Sequence, residues 1–156
     1  MSRFTAFVIT FLISILPIVE LRGAIPVAAG FGLSFLEAYP VAVIGNMVPV
    51  PFIILYFKYL FKFFEKIKFV GPIFKKVHDK ATKEADKIQK YAIWGLFIFV
   101  AIPLPGTGAW TGSVIASVLE MKLKVAFPII FLAVMTSGLI MGCLSYGLLD
   151  LIKSII

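Results

Sequence analysis

The chain is poor in charge, in acid and in the residues that carry covalent chemistry. Of its 156 residues only 15% are Asp, Glu, Lys or Arg, whereas 61% are apolar. A soluble domain carries about a quarter charged residues because its surface faces water. Too little polar surface is left here to cover a globule, so the excess apolar surface has to face lipid. A single cysteine, Cys143, excludes an internal disulfide and leaves the redox compartment unread. The one histidine, His78, sits among lysines, where a solvated surface role suits it. No cluster of His, Cys, Asp and Glu has metal-ligand spacing, so no metal is expected. No phosphate-binding glycine loop is present and no nucleophile stands beside a base. ATP-driven work and enzyme chemistry therefore have no support, and no cofactor is expected.

Acid is scarcer than base, with 8 Asp and Glu against 15 Lys and Arg and a net charge of +7. The bases are gathered: ten lysines fall between Lys58 and Lys90, and Lys122 and Lys124 follow. Basic residues massed between apolar blocks mark the cytoplasmic side of a membrane protein and attract anionic headgroups. Membrane lipids are the expected partners and nucleic acid is not. Ser2-Arg3 ahead of an apolar run imitates a signal peptide, but Pro17-Ile-Val-Glu20-Leu-Arg22 follows instead of a small-residue cleavage site, so no cleavage is expected.

The apolar sequence is arranged in short and long blocks. Phe4 to Leu16 is 13 residues, about 20 Å as a helix, against the ~30 Å of a hydrocarbon core. Pro17, Glu20, Arg22, Gly23 and Pro26 interrupt it, and Val27 to Phe35 resumes it. Read as one helix, this stretch would carry a Glu, an Arg and two prolines near its middle. Read as a re-entrant hairpin, its irregular backbone would sit inside protein or beside a water-filled cavity, where it is tolerated. Ala38 to about Leu60 is long enough to span, with kinks expected at Pro40, Pro49 and Pro51. After Gly71-Pro72, a stripe from Phe74 to Ala92 at three and four residue spacing predicts an amphipathic cytoplasmic connector helix. Tyr91 to Leu104 is again short, is broken by Pro103-Leu-Pro105-Gly106-Thr107-Gly108, and resumes from Ala109 to Leu119. Val125 to Leu149 spans, with Pro128 near its start.

This order repeats. Pro17 and Pro40 match Pro103 and Pro128. The expected fold is an all-α integral membrane protein of two inverted repeats, each a re-entrant helical hairpin followed by a transmembrane helix. The first repeat is 1–61 (hairpin 4–35, span 38–60) and the basic helical connector is 62–90. The second repeat is 91–156 (hairpin 91–119, span 125–149). A hairpin returns to its own side and a span crosses, so the second repeat is inverted. With the connector cytoplasmic in a multi-pass cell-membrane protein, both termini lie outside. Arg3, Glu37, Asp150 and Lys153 then fall outside, while Lys122 and Lys124 fall inside with the connector.

Charged side chains at membrane depth cost about 2.5–3.5 kcal/mol on translocon scales, so Glu20 and Arg22 are expected to face a cavity or a partner. One reading makes Glu20 a proton acceptor and Arg22 the ligand of an anionic group; the other makes them a buried pair that fixes the turn. The second turn has no charge. Its helix from Ala109 opens with free N–H groups and a positive dipole end, which suits phosphate or carboxylate. Thr107, Thr111 and Ser113 add hydroxyls, and Trp110 either stacks on a ligand or anchors packing. The turn-forming set is Pro17, Gly23, Pro26, Pro103, Pro105, Gly106 and Gly108. Asn46, polar within a span, reads as an interhelical hydrogen bond.

The stretches Glu20-Leu-Arg22-Gly-Ala-Ile-Pro26 and Pro103-Leu-Pro-Gly-Thr-Gly-Ala-Trp-Thr-Gly112 resemble the small multidrug export protein family over nearly the whole chain. That family is distantly similar to the DedA (SNARE-associated) superfamily, whose members have two facing re-entrant hairpins and are associated with lipid scrambling or lipid-phosphate recycling. The resemblance implies that Glu20 and Arg22 match functional acidic and basic positions of the first hairpin. The second turn departs from the DedA pattern in having no Arg. Three functions follow. The first is a transporter or flippase of an amphipathic, anionic lipid-phosphate substrate, with Glu20 coupling protons. The second is a proton-coupled exporter of small drugs, with Glu20 binding cations. The third is a non-transporting scaffold acting through its basic helix. One copy is small for a complete pathway, which a homodimer would supply.

Overall fold

The computed structural model describes residues 2–64, 85–104 and 106–155, and every regular element among them is a helix. In chain order these are α1 (Arg3–Ile15), α2 (Glu20–Gly30), α3 (Phe35–Met47), α4 (Pro49–Phe64), α5 (Ala85–Ala101), α6 (Ala109–Val118) and α7 (Leu123–Ile155). The stretch 65–84, with His78 and most of the expected amphipathic stripe, lies outside the described residues, as does Pro105.

Prolines set most of the boundaries. The residue before a proline is pushed out of the helical region, and Leu16, ahead of Pro17, is extended at φ −66°, ψ 136°. α5 ends two residues before Pro103. Between α3 and α4 the interruption is only Val48, ahead of Pro49, which itself suits the first turn of a helix. The pair therefore runs on as an apolar helix, Phe35–Phe57, of 23 residues, and Leu123–Gly147 gives a second of 25. Both are long and apolar enough to cross a membrane. α1, α2 and α6, at 13, 11 and 10 residues, are not.

Two expectations need correction. Gly23 and Pro26 do not form the first turn; both lie inside α2, and the turn is confined to residues 16–19. Proline's fixed φ fits a helix and costs it only the bond to the carbonyl of Arg22. Gly23 is needed there for space, because a Cβ would overlap the Val19 side chain one turn back. In addition, α5 begins at Ala85, inside the basic segment, and not at Tyr91.

Large apolar side chains such as Phe4, Ile18, Leu36 and Phe52 point outward, and Thr10, Ser14, Glu20, Asn46, Ser113, Ser117 and Ser137 are buried alongside the apolar core. Lipid offers no hydrophobic drive between helices, so small residues and hydroxyls make the contacts. Gly45 lets α3 approach the Phe11 carbonyl of α1, and Gly112 lets α6 approach Val100 of α5. Ser14 donates to the Ala42 carbonyl, and Ser117 donates to the Ile54 carbonyl at 3.2 Å.

α1 packs on α2 and α3, and α5 packs on α6 and α7. The two sets are joined crosswise, with α2 against α7 and α6 against α4. Gly138 and Gly142 on α7 leave room for the rings of Tyr39 and Phe35. Tyr39 donates to the Met135 carbonyl at 3.1 Å, and Tyr146 donates to that of Leu33 at 2.9 Å. Arg3, at the start of α1, pairs with Glu37, at the start of α3, at 2.5 Å. α2 and α6 also end alike. Leu33 N–H bonds to the Ala28 carbonyl at 3.0 Å and Met121 N–H to that of Ala116 at 2.9 Å. The intervening left-handed residue is Gly32 (φ 79°) in one and Glu120 (φ 52°) in the other.

Candidate functional site

A broken helix leaves free carbonyls on one side of the break and free N–H groups on the other. Away from water each such group needs a partner within the protein. Among the described residues, the breaks at 16–19 and 102–108 lie against each other. Each supplies partners to the other.

Glu20 opens α2 in a left-handed conformation, φ 52°, which turns its side chain away from a regular helical course. Its Oε1 accepts the Trp110 N–H at 3.1 Å, in the first turn of α6. The carboxylate thus sits at the positive end of the α6 dipole, where a negative charge is favoured by about 0.3–1 kcal/mol at exposed sites and up to ~2 when partly buried. The approach requires Gly108. That residue has φ 142°, and a Cβ on it would overlap the carboxylate.

Arg22 does the converse. Its guanidinium, half-buried, donates to the Leu104 carbonyl, to that of Ile102 at 3.4 Å and to Thr107 Oγ1 at 2.8 Å. A cation is thereby set against the carbonyl end of α5, the favourable sign there. Thr107 Oγ1 is itself 2.9 Å from the Ile102 and Leu104 carbonyls and gives its proton into that pair. In the opposite direction, the Trp110 indole N–H donates to the Ile15 carbonyl at the end of α1, at 2.9 Å. Trp110 is thereby tied to the end of α1 by its side chain and to the start of α2 by its backbone.

Between the turns and the long helices lies a crevice of about 160 Å³ of interatomic space, with no room for a water molecule. Glu20, Arg22 and Gly108 border it, with Val100 and Val134 as apolar walls. The other expected site residues are elsewhere. Ser113 is buried and bonds to the Ala109 carbonyl at 2.5 Å, Thr111 is exposed, and neither borders the crevice. Pro17 lies in the first turn, and Pro103 and Gly106 lie in the second, where Gly106 supplies φ 82°.

Two residues that border the crevice were not expected there. Asn46 of α3 is buried, and its Oδ1 has no hydrogen-bond partner. Ser137 of α7 is buried with its Oγ equally unpartnered. A polar residue within each long apolar helix was the available signal. Serine is ordinary in such helices, so it was too weak to single out Ser137.

Fold and site define a helical membrane protein in which charged residues just past one helix break bond to the backbone of an uncharged one. The chain belongs to the family described as "Putative small multi-drug export protein", whose profile matches residues 20–140. That span begins at Glu20, directly after the first break, and takes in the second break, the first long apolar helix and the second up to residue 140. No curated protein and no solved structure matches the chain.

Proposed function

We propose that the protein is a secondary exporter of cationic, amphipathic small molecules, built on two re-entrant hairpins of an inverted repeat, with Glu20 receiving the substrate or a proton. One observation carries this reading. Glu20 is a buried carboxylate at the crevice, while both groups suited to an anion are already engaged. Arg22 is bonded to the Ile102 and Leu104 carbonyls, and the start of α6 is bonded to Glu20 itself. A phosphate would have to displace one of these contacts, whereas the Glu20 carboxylate can keep its bond to the Trp110 N–H and still offer lone pairs to a cation. The lipid-phosphate flippase implied by the DedA similarity therefore requires Arg22 to be released.

A crossed pattern supports the inverted repeat. Pro17, Glu20, Arg22, Gly32 and Pro40 stand 88 positions before Pro105, Gly108, Trp110, Glu120 and Pro128. Glu20 and Gly108 both have positive φ, as do Gly32 and Glu120. Arg22 and Trp110 each donate to carbonyls at the end of the other hairpin's first helix. This register pairs Pro17 with Pro105, not Pro103, and makes the two proline spacings equal. The Arg3–Glu37 pair supports the return of residues 4–35 to one side of the membrane. The charge rule then puts 62–90 in the cytoplasm and both termini outside. Leu16, Ile18 and Leu104 form exposed apolar surface beside the turns, the surface a second copy would cover in a homodimer.

The test is efflux of a fluorescent lipophilic cation from proteoliposomes of the purified protein. Glu20→Gln is expected to abolish it, and efflux at the unmodified rate would sink the reading. For the topology, with Cys143 replaced, cysteines at Ser2 and Ser34 should react with an impermeant thiol reagent from the same side. Labelling from opposite sides ends the hairpin.

A further inference from the structure

The crevice leaves two oxygens without partners. Asn46 of α3 and Ser137 of α7 are each 3% exposed, and Asn46 Oδ1 and Ser137 Oγ make no hydrogen bond. Both side chains border the space that Glu20, itself 4% exposed, also borders. Other buried hydroxyls behave differently: Ser14, Ser113 and Ser117 each give their proton to a carbonyl. Buried polar atoms in folded proteins are paired almost without exception, so two orphans in one crevice call for a partner.

No water fits there to supply it. Among the described residues, the charged ones at the crevice are Glu20 and Arg22. α3 brings Asn46 to it, α5 brings Val100, α6 brings Ala109, and α7 brings Val134 and Ser137, none of them charged. Arg22 gives its hydrogen bonds to the Ile102 and Leu104 carbonyls and to Thr107. Glu20 is the group there that gains a donor by taking up a proton. Its Oε1 accepts the Trp110 N–H, and a carboxylic acid keeps that acceptor while its other oxygen carries an O–H. Asn46 Oδ1 can only accept, so a carboxylate leaves it an orphan and a carboxylic acid does not. Ser137 has a proton of its own, which a turn of the hydroxyl can direct to the carboxyl group. Arg22 and the first turn of α6 favour the charged form of Glu20, and the exclusion of water opposes it. The orphan oxygens tip this balance, because the neutral acid offers them a donor and the carboxylate offers none.

We propose that Glu20 carries a proton in this closed crevice, and that Asn46 is the positioning residue that accepts its hydrogen bond, with Ser137 completing the set. The proton then ties α2, just past the first break, to a long helix, and its loss unties them. That this release drives export rests on the function proposed above; that Asn46 holds the proton does not.

The test is a pH titration of the carboxylic C=O stretch by infrared spectroscopy, on the purified full-length protein in detergent, with Glu20→Gln identifying the Glu20 band. Asn46→Leu, similar in size, removes a partner of the neutral acid. It is expected to lower the pH at which the band disappears by about one unit, a tenfold weaker hold on the proton. If Asn46 instead turned its NH2 group to a carboxylate, the same substitution would raise that pH. A raised or unmoved midpoint overturns the proposal, as does the absence of a Glu20 band at every pH where the protein is folded. Should Asn46→Leu fail to fold, thermal unfolding against pH carries the test. A proton held by the folded state stabilises it at low pH, so Tm should fall as pH rises through the midpoint. Glu20→Gln should lose that dependence, since its amide gives Asn46 a donor at any pH. A Tm that does not fall, or falls equally in Glu20→Gln, overturns the proposal. Neither measurement involves efflux, so an exporter that fails its own test leaves these results standing, and an unmoved titration leaves the exporter standing.

Discussion

The two helix breaks solve one problem with different materials. The first, at residues 16–19, is followed by Glu20 and Arg22 and has no glycine of its own. The second, at 102–108, has no charge but carries Gly106, Thr107 and Gly108. The first supplies side chains, and the second supplies backbone that can be approached. Each charge meets the dipole end of opposite sign: Glu20 at the start of α6 and Arg22 beyond the end of α5. Charge on both turns would set like groups against each other, and charge on neither would leave buried helix ends with only neutral partners. Asymmetry is what lets two turns pack together out of water.

Substitutions can break this comparison, and Gly108→Ala should break it most. It places a Cβ both in a positive-φ backbone and inside the Glu20 carboxylate. A loss of about 3 kcal/mol or more is expected, read as failure to give a monodisperse species by gel filtration. Arg22→Ala comes next, because it removes the charge-assisted bonds to α5 and leaves Glu20 without a compensating cation nearby. The expected cost is about 3 kcal/mol in equilibrium unfolding in detergent, with Arg22→Lys recovering part of it. Trp110→Phe sharpens the comparison. It removes only the neutral bond to the Ile15 carbonyl, so it should cost about 1 kcal/mol, clearly less than Arg22→Ala, by the same measurement. Equal effects from the two would mean that charge is irrelevant to how the turns are held. Gly32→Ala should cost roughly 1 kcal/mol, because it adds left-handed strain with open space around the new methyl. Glu120 bears that strain at the matching end of α6, so a thermal scan of Gly32→Ala measures what one non-glycine residue costs there.

Much of the arrangement was legible in the chain. Pro17 and Pro103 mark where α1 and α5 stop, because a proline constrains its own φ and the residue before it whatever the surroundings. Glu20 and Arg22 stood out because charge within apolar sequence is costly. Gly23 and Pro26 misled, since both residue types occur inside helices when neighbours fill the gap they leave, and neighbours are not written locally. The anion site expected at the start of α6 rested on its N–H groups being free. The Trp110 N–H among them bonds to a carboxylate 90 residues earlier in the chain.

Sequence alone determined that this protein lives among lipids, is helical, and interrupts two apolar stretches that are too short to span. Composition, proline stereochemistry and the cost of buried charge act residue by residue, so they can be read without a fold. Only the tertiary structure decided which partner each charge meets, and that Asn46 and Ser137 share a crevice with Glu20. Those facts depend on distances between segments far apart in the chain, which local chemistry constrains but does not specify.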